Sequence, residues 1–254
     1  MLPFPLIRSI ATLCGETAIL CTNKAIRGGF AWPDRLELAI REAKTLDKNT
    51  LFRMQCDLGA VGTCERMLDN EADAFSRAAM LLAKPPNYSG ETALIGACKQ
   101  GNVSLVEILI RNSPNEQVLA TNNHGVSALM RACGIQGGHA NAACVNILLG
   151  YSPNEQVLAT DNHGMSALMW ACIHGHAACV KILLRHSPDT QVLATDHFGL
   201  SALMMACFHG HAACVKILLR HSPYTQVLAT ECHGRSALMY ANASCVKILL
   251  RIPS

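Results

Sequence analysis

Charge is scarce in this chain. Of 254 residues only 15% are Asp, Glu, Lys or Arg, against roughly 25% in ordinary soluble proteins, so the surface is expected to be unusually apolar. The balance of signs is slight, with a net charge of +3. No run of Lys or Arg forms a phosphate track, and this sets nucleic acid aside as a partner. No stretch reaches the roughly 18 consecutive apolar residues of a membrane helix, because Arg8, Glu16 and Lys24 interrupt the apolar N-terminal region; no membrane partner is expected. The first residues also lack the basic region of a secretion signal, and Pro3 and Pro5 break them early. A cytoplasmic location, with the nucleus as alternative, follows as the expectation.

Catalytic signatures are missing too. There is no glycine-rich phosphate loop, no Gly-x-Ser-x-Gly elbow and no His-Glu-x-x-His. The chain is read as no enzyme, with no cofactor. Its 13 cysteines never fall in a Cys-x-x-Cys pair, so the usual zinc spacings are absent. Their odd number and the missing secretion signal favour reduced thiols.

What the sequence does have is a period. The segments Gly164–Phe198 and Gly199–His233 agree at 28 of 35 positions. Unit-opening glycines stand at Gly90, Gly125, Gly164, Gly199 and Gly234, at steps of 35, 39, 35 and 35. The longer step comes from four extra residues between Cys133 and Cys144, about one helical turn. The last unit is shortened by four between Leu238 and Val246. A fixed period of this length marks a repeat architecture that grows in one dimension.

Within one unit, Ser166 precedes an apolar run that ends at Gly175, which predicts a capped helix closed by glycine. A second helix is predicted from His176 to His186, where Cys179, Val180, Ile182, Leu183 and Leu184 recur every three to four residues and Pro188 forbids continuation. Gln191 to Thr195 is read as a short extended stretch and Asp196 to Gly199 as a turn. Each unit is then helix, turn, helix and long hairpin-like loop.

These units resemble ankyrin repeats. The family pattern Gly-x-Thr-Pro-Leu-His-x-Ala-Ala-x-x-Gly-His-x-x-x-Val-x-x-Leu-Leu is met in order by Gly164, Ser166, Leu168, Ala171, Gly175, His176, Val180, Leu183 and Leu184. Ala167 and Met169 replace its Pro and His, which implies weaker polar ties between neighbouring units, and Ser187-Pro188 replaces the glycine that ends its second helix. The resemblance implies an all-α helix-turn-helix repeat solenoid with units at 90–124, 125–163, 164–198 and 199–233 and a truncated one at 234–254. Phe52, Cys56, Gly59, Cys64, Met67 and Leu68 keep the repeat spacing, so 51–89 is read as a degenerate repeat and linker. In the N-terminal region 1–50, residues 34–46 carry the pattern of one amphipathic helix.

Eight cysteines form two columns. Cys98, Cys133, Cys172 and Cys207 lie in the first helices, and Cys144, Cys179, Cys214 and Cys245 in the second. They are read as small buried hydrophobes. The pairs His174/His176 and His209/His211 are read as helix-end residues, and no metal site is expected, since no acidic or cysteine partner recurs at a fixed offset.

Function is sought where the copies differ. The seven differences between the near-identical units are Met165/Leu200, Trp170/Met205, Ile173/Phe208, Asp189/Tyr224, Asp196/Glu231, His197/Cys232 and Phe198/His233. Six fall in the turn and first helix, which in ankyrin-like stacks form the concave, partner-binding surface. The candidate binding residues are Met165, Trp170, Ile173, Leu200, Met205 and Phe208 at its apolar middle, with Arg131, Arg235 and Tyr240 towards its ends. The expected function is non-enzymatic protein-protein interaction on that face. A narrower alternative is the substrate-recognition adaptor of a ubiquitin-ligase or signalling complex; another is a structural protein that self-associates through its C-terminal repeat.

Overall fold

A computed structural model describes residues 48–57, 59–71, 73–83, 90–112, 114–134 and 139–251. The expected helix at 34–46 lies outside them. The chain divides into two compact units, Met1–Ala83 and Lys84–Ser254.

In the first unit, α1 (Lys48–Asp57) and α2 (Val61–Asp69) form a pair joined through Gly59 at φ 69°. Phe52, Cys56, Cys64 and Leu68, the residues that keep the repeat spacing, are fully or almost fully buried. A third helix, α3 (Ala74–Leu82), packs on α1 and is capped by Asp73, whose carboxylate accepts the Ser76 N–H at 2.8 Å.

The second unit is a stack of repeats, of which the first four each contribute three helices rather than two and the last, among the described residues, two. The first-helix column is α4 (Ala93–Gln100), α7 (Ala128–Cys133), α10 (Ala167–Ile173), α13 (Ala202–Phe208) and α16 (Ala237–Tyr240). The second is α5 (Val103–Asn112), α8 (His139–Leu148), α11 (Ala177–Leu183), α14 (Ala212–Leu218) and α17 (Ala243–Leu249). Thr92, Ser127, Ser166 and Ser201 start the first helices, each accepting a backbone N–H three residues on at 3.3–3.4 Å. Gly101, Gly175 and Gly210 then turn the chain at φ 67–76°. In the shortened repeat, α16 has four residues where α13 has seven.

The third column corrects the expected extended stretch: α6 (Pro114–Leu119), α9 (Pro153–Leu158), α12 (Pro188–Leu193) and α15 (Pro223–Leu228) are short helices. Proline, read as a stop for the second helix, is also the first residue of the next, where its missing N–H costs nothing. Among the described residues, β-pairing is confined to single antiparallel bridges such as Thr195 to Ser201, which close the hairpin of each turn. The chain makes the corner before each proline at Ser152, Ser187 and Ser222, at φ 39–44°.

One residue type secures this corner. Gln117, Gln156, Gln191 and Gln226 are buried, and each side-chain amide donates to a carbonyl near the end of the preceding second helix, those of Leu109, Leu148, Leu183 and Leu218, at 2.7–2.9 Å. The last three also donate to the carbonyls of Tyr151, His186 and His221. Glutamine therefore satisfies helix-end carbonyls that a terminal glycine motif would otherwise serve.

Neighbouring repeats keep a polar tie despite the lost family residues. The Nε2–H of His211 donates to the Ile173 carbonyl of the preceding repeat at 2.9 Å. The ring lies directly over Gly175, where an added Cβ would come within 2.5 Å of it. The cysteine columns meet diagonally. The free thiols of Cys133 and Cys179 share a hydrogen bond, as do those of Cys172 and Cys214, and these contacts together with burial push the Cys133 and Cys172 thiols well up. Burial likewise pushes Cys207 up to about 12.

Candidate protein-binding face

Each repeat's turn is organised by one buried acid or amide. The Oδ1 atom of Asn122 accepts the backbone N–H groups of His124 and Val126, that of Asp161 those of His163 and Met165, and that of Asp196 those of Phe198 and Leu200, all at 2.8–3.0 Å. This Asx-type closure fixes the turn tips beside the first helices. Turn joins turn down the stack through the N–H groups of Asn162, His197 and Cys232, which donate to the carbonyls of His124, His163 and Phe198.

At one end, Arg131 reaches from α7 to the buried Glu91 of the preceding repeat, Nη2 to Oε1 at 2.7 Å, and Lys99 adds a contact at 3.4 Å. Arg131 is thus half-buried and paired across a repeat boundary. In the middle, Trp170 donates its Nε1–H to Oδ2 of Asp161 at 3.2 Å, stacks on His174 and rests on Gly134, where a Cβ would meet the indole at 2.7 Å. Met205, at the equivalent position, is buried with 6% of its surface exposed. Met165, Ile173 and Leu200 are half-buried. Trp170 and Met205 therefore spend much of their surface on the stack itself.

The exposed apolar centre is Phe208, which is 67% exposed. It stands at the end of α13, and α16 beside it stops at Tyr240, a turn short of the position that would lie over it. Its ring makes edge contacts with Tyr240 at 6.0 Å and His209 at 5.1 Å. The Arg235 guanidinium lies 5.1 Å above Tyr240 and donates to Glu231 at 2.9 Å. Ile173, Phe208, Tyr240 and Arg235 thus lie on first helices or turns of consecutive repeats, an apolar ring with a cation beside it. Phe198, at a turn tip, is also exposed and was not among the residues singled out from the sequence. Its signal was there, since it is one of the seven positions at which the two copies differ.

The last turn carries a different chemistry. Oε2 of Glu231 is 3.2 Å from Sγ of Cys232 and 2.9 Å from Nδ1 of His233, and those two atoms are 3.1 Å apart. Burial opposes ionisation of Glu231, but the hydrogen bonds from His233 and Arg235 outweigh it and hold the carboxyl well below its usual range. The bond to the same carboxylate pushes the Cys232 thiol up. A nucleophilic triad would engage the two ring nitrogens of the histidine separately. Here thiol and carboxylate face the one atom Nδ1, and the thiol is held protonated.

No curated protein sequence matches the chain. A model of ankyrin repeats, in three copies, matches residues 51–157, 120–196 and 189–253. Together these cover α1 from residue 51, the whole of α2 and every repeat of the second unit, and by them the chain belongs to the ankyrin repeat family.

Proposed function

We propose that this protein is a non-enzymatic interaction module that holds a protein partner on the face made by its turn tips and first helices, with Phe208 as the anchor. Ankyrin repeats generally mediate protein-protein interaction and are typically without catalytic activity. The observation that carries the reading is the exposure of Phe208. It is a large aromatic side chain left open at the end of a helix whose other residues are all buried, and it has the Tyr240 ring against it with Arg235 over that ring. A rigid aromatic beside an arginine is the composition of an interface hot spot. The low overall charge supports the same reading, because few charges need desolvation when such a face is covered. The protein is proposed to work in the reducing interior of the cell, in keeping with cysteine columns held as free thiols.

Affinity capture with the intact chain and with Phe208→Asp tests this. Loss of the captured partner, with the unfolding midpoint unchanged, is expected; the same partner recovered at the same level would refute the assignment. Trp170→Ala and Met205→Ala are unsuitable for that purpose, because both disturb the stack.

A second reading, self-association, is supported by the last repeat. Leu238, Met239 and Leu250 are exposed, whereas the equivalent Leu203 and Met204 are buried and Leu219 is half-buried. Light scattering over a concentration series decides it: growth in mass with concentration supports a second copy on this face, and a constant monomer mass removes it.

A further inference from the structure

We propose that Glu231, Cys232 and His233 form a binding site for one divalent transition-metal ion of zinc type, held by a carboxylate oxygen, a thiolate and an imidazole nitrogen with a fourth position open. The three donor atoms are mutually 2.9–3.2 Å apart. A tetrahedral ion with bonds of about 2.3 Å to sulfur and about 2.0–2.2 Å to nitrogen and oxygen needs separations of about 3.3–3.7 Å. An outward rotation of a few tenths of an ångström brings all three to that spacing. Cys232 and His233 are exposed, so both their rotation and the entry of an ion are unobstructed.

The carboxylate is prepared for the role. The side chain of Glu231 is only 2% exposed, and its Oε1 is fixed by the N–H of Arg235 at 3.2 Å and by that residue's Nε at 2.9 Å. This orients Oε2 towards the thiol and imidazole, as an outer hydrogen bond orients a ligating carboxylate. The mixed set of one soft and two harder donors suits zinc and cobalt rather than magnesium or calcium, which take oxygen. Binding replaces the S–H bond of Cys232 with a metal–sulfur bond and releases the proton to water.

The other turns of the same molecule are the contrast. The Asp161 turn keeps a carboxylate and a histidine, but Asn162 stands in the middle and Asp161 Oδ2 is taken by Trp170. The Asp196 turn has His197 and Phe198. Between two units identical at 28 of 35 positions, three of the seven differences are these three adjacent residues: Asp196 and His197, already able to ligate, become Glu231 and Cys232, and Phe198 becomes His233, which adds the third donor. Among the described residues this is the one place where three such groups converge.

Titration of the full chain with Co2+, followed by displacement with Zn2+, tests the site. One equivalent bound with a thiolate-to-cobalt charge-transfer band is expected, and zinc should abolish the band. Cys232→Ser and His233→Ala should each remove the band and weaken zinc binding by at least about tenfold, since even outer partners cost that much, while His163→Ala leaves both unchanged. Circular dichroism checks that the variants remain folded. Absence of a saturable site, or a band of full strength in Cys232→Ser, overturns the proposal.

Discussion

Ser187 sits at φ 44° immediately before Pro188. Both facts disfavour the conformation, since a Cβ crowds the left-handed region and proline restricts the residue before it. Ser187→Gly relieves the first of these, and a gain of about 0.5–1 kcal/mol in urea unfolding is expected. The thiols make a second test at this scale. Cys232 is exposed, while Cys56, Cys64, Cys98, Cys133, Cys144, Cys172, Cys179, Cys207, Cys214 and Cys245 are buried. Brief alkylation of the native protein followed by peptide mass spectrometry should modify Cys232 and spare those ten, which react only after denaturation. The burial of the cysteine columns was legible in their spacing. Their diagonal pairing was not, because it joins the first helix of one repeat to the second helix of the next. Trp170 escaped for the same reason: the sequence offers an indole nine residues after an acid, and only the packed turn brings Nε1 to Asp161.

At the scale of elements, the repeated corner depends on the buried glutamines. Gln191→Ala removes the donor to the buried carbonyl of Leu183 and to the half-buried carbonyl of His186. Leaving such groups unpaired costs about 1–3 kcal/mol each, so the denaturation midpoint should fall clearly, and more than for an exposed substitution such as Thr190→Ala. The column of α6, α9, α12 and α15 was misread from the sequence because six residues are too few to show a helical period. The glutamine at its fourth position and the proline at its first were the available signals. The helix ends also respond to pH. Burial, followed by the neighbouring histidines His176, His209 and His211, lowers His174 below the ordinary value of 6.5, and burial followed by His211 lowers His209. With a folded value below the unfolded one, the unfolded chain binds more protons as pH falls beneath 6.5. Stability is therefore complete above that pH and declines below it. Thermal unfolding at pH 7.5 and pH 5 should show the loss, and His174→Gln with His209→Gln should lessen it.

For the whole molecule, the period of the sequence settles the repeat architecture, and the interruption of that period in the last repeat leaves a large aromatic exposed beside it. The four residues missing from the last repeat shorten α16 to Ala237–Tyr240, which leaves Phe208 uncovered. The differences between copies direct attention to the turns and first helices, but give weight to Trp170 and Met205, which packing against Gly134, Asp161 and neighbouring helices covers in part for the first and almost wholly for the second. The central claim is that the Phe208 face meets the partner. Site-specific incorporation of a photo-cross-linking residue in place of Phe208, and separately in place of Lys216 on the exposed side of α14, tests this most directly. The account predicts a discrete adduct with a partner protein from position 208 and none from position 216. An adduct from position 216 with none from position 208 would contradict it.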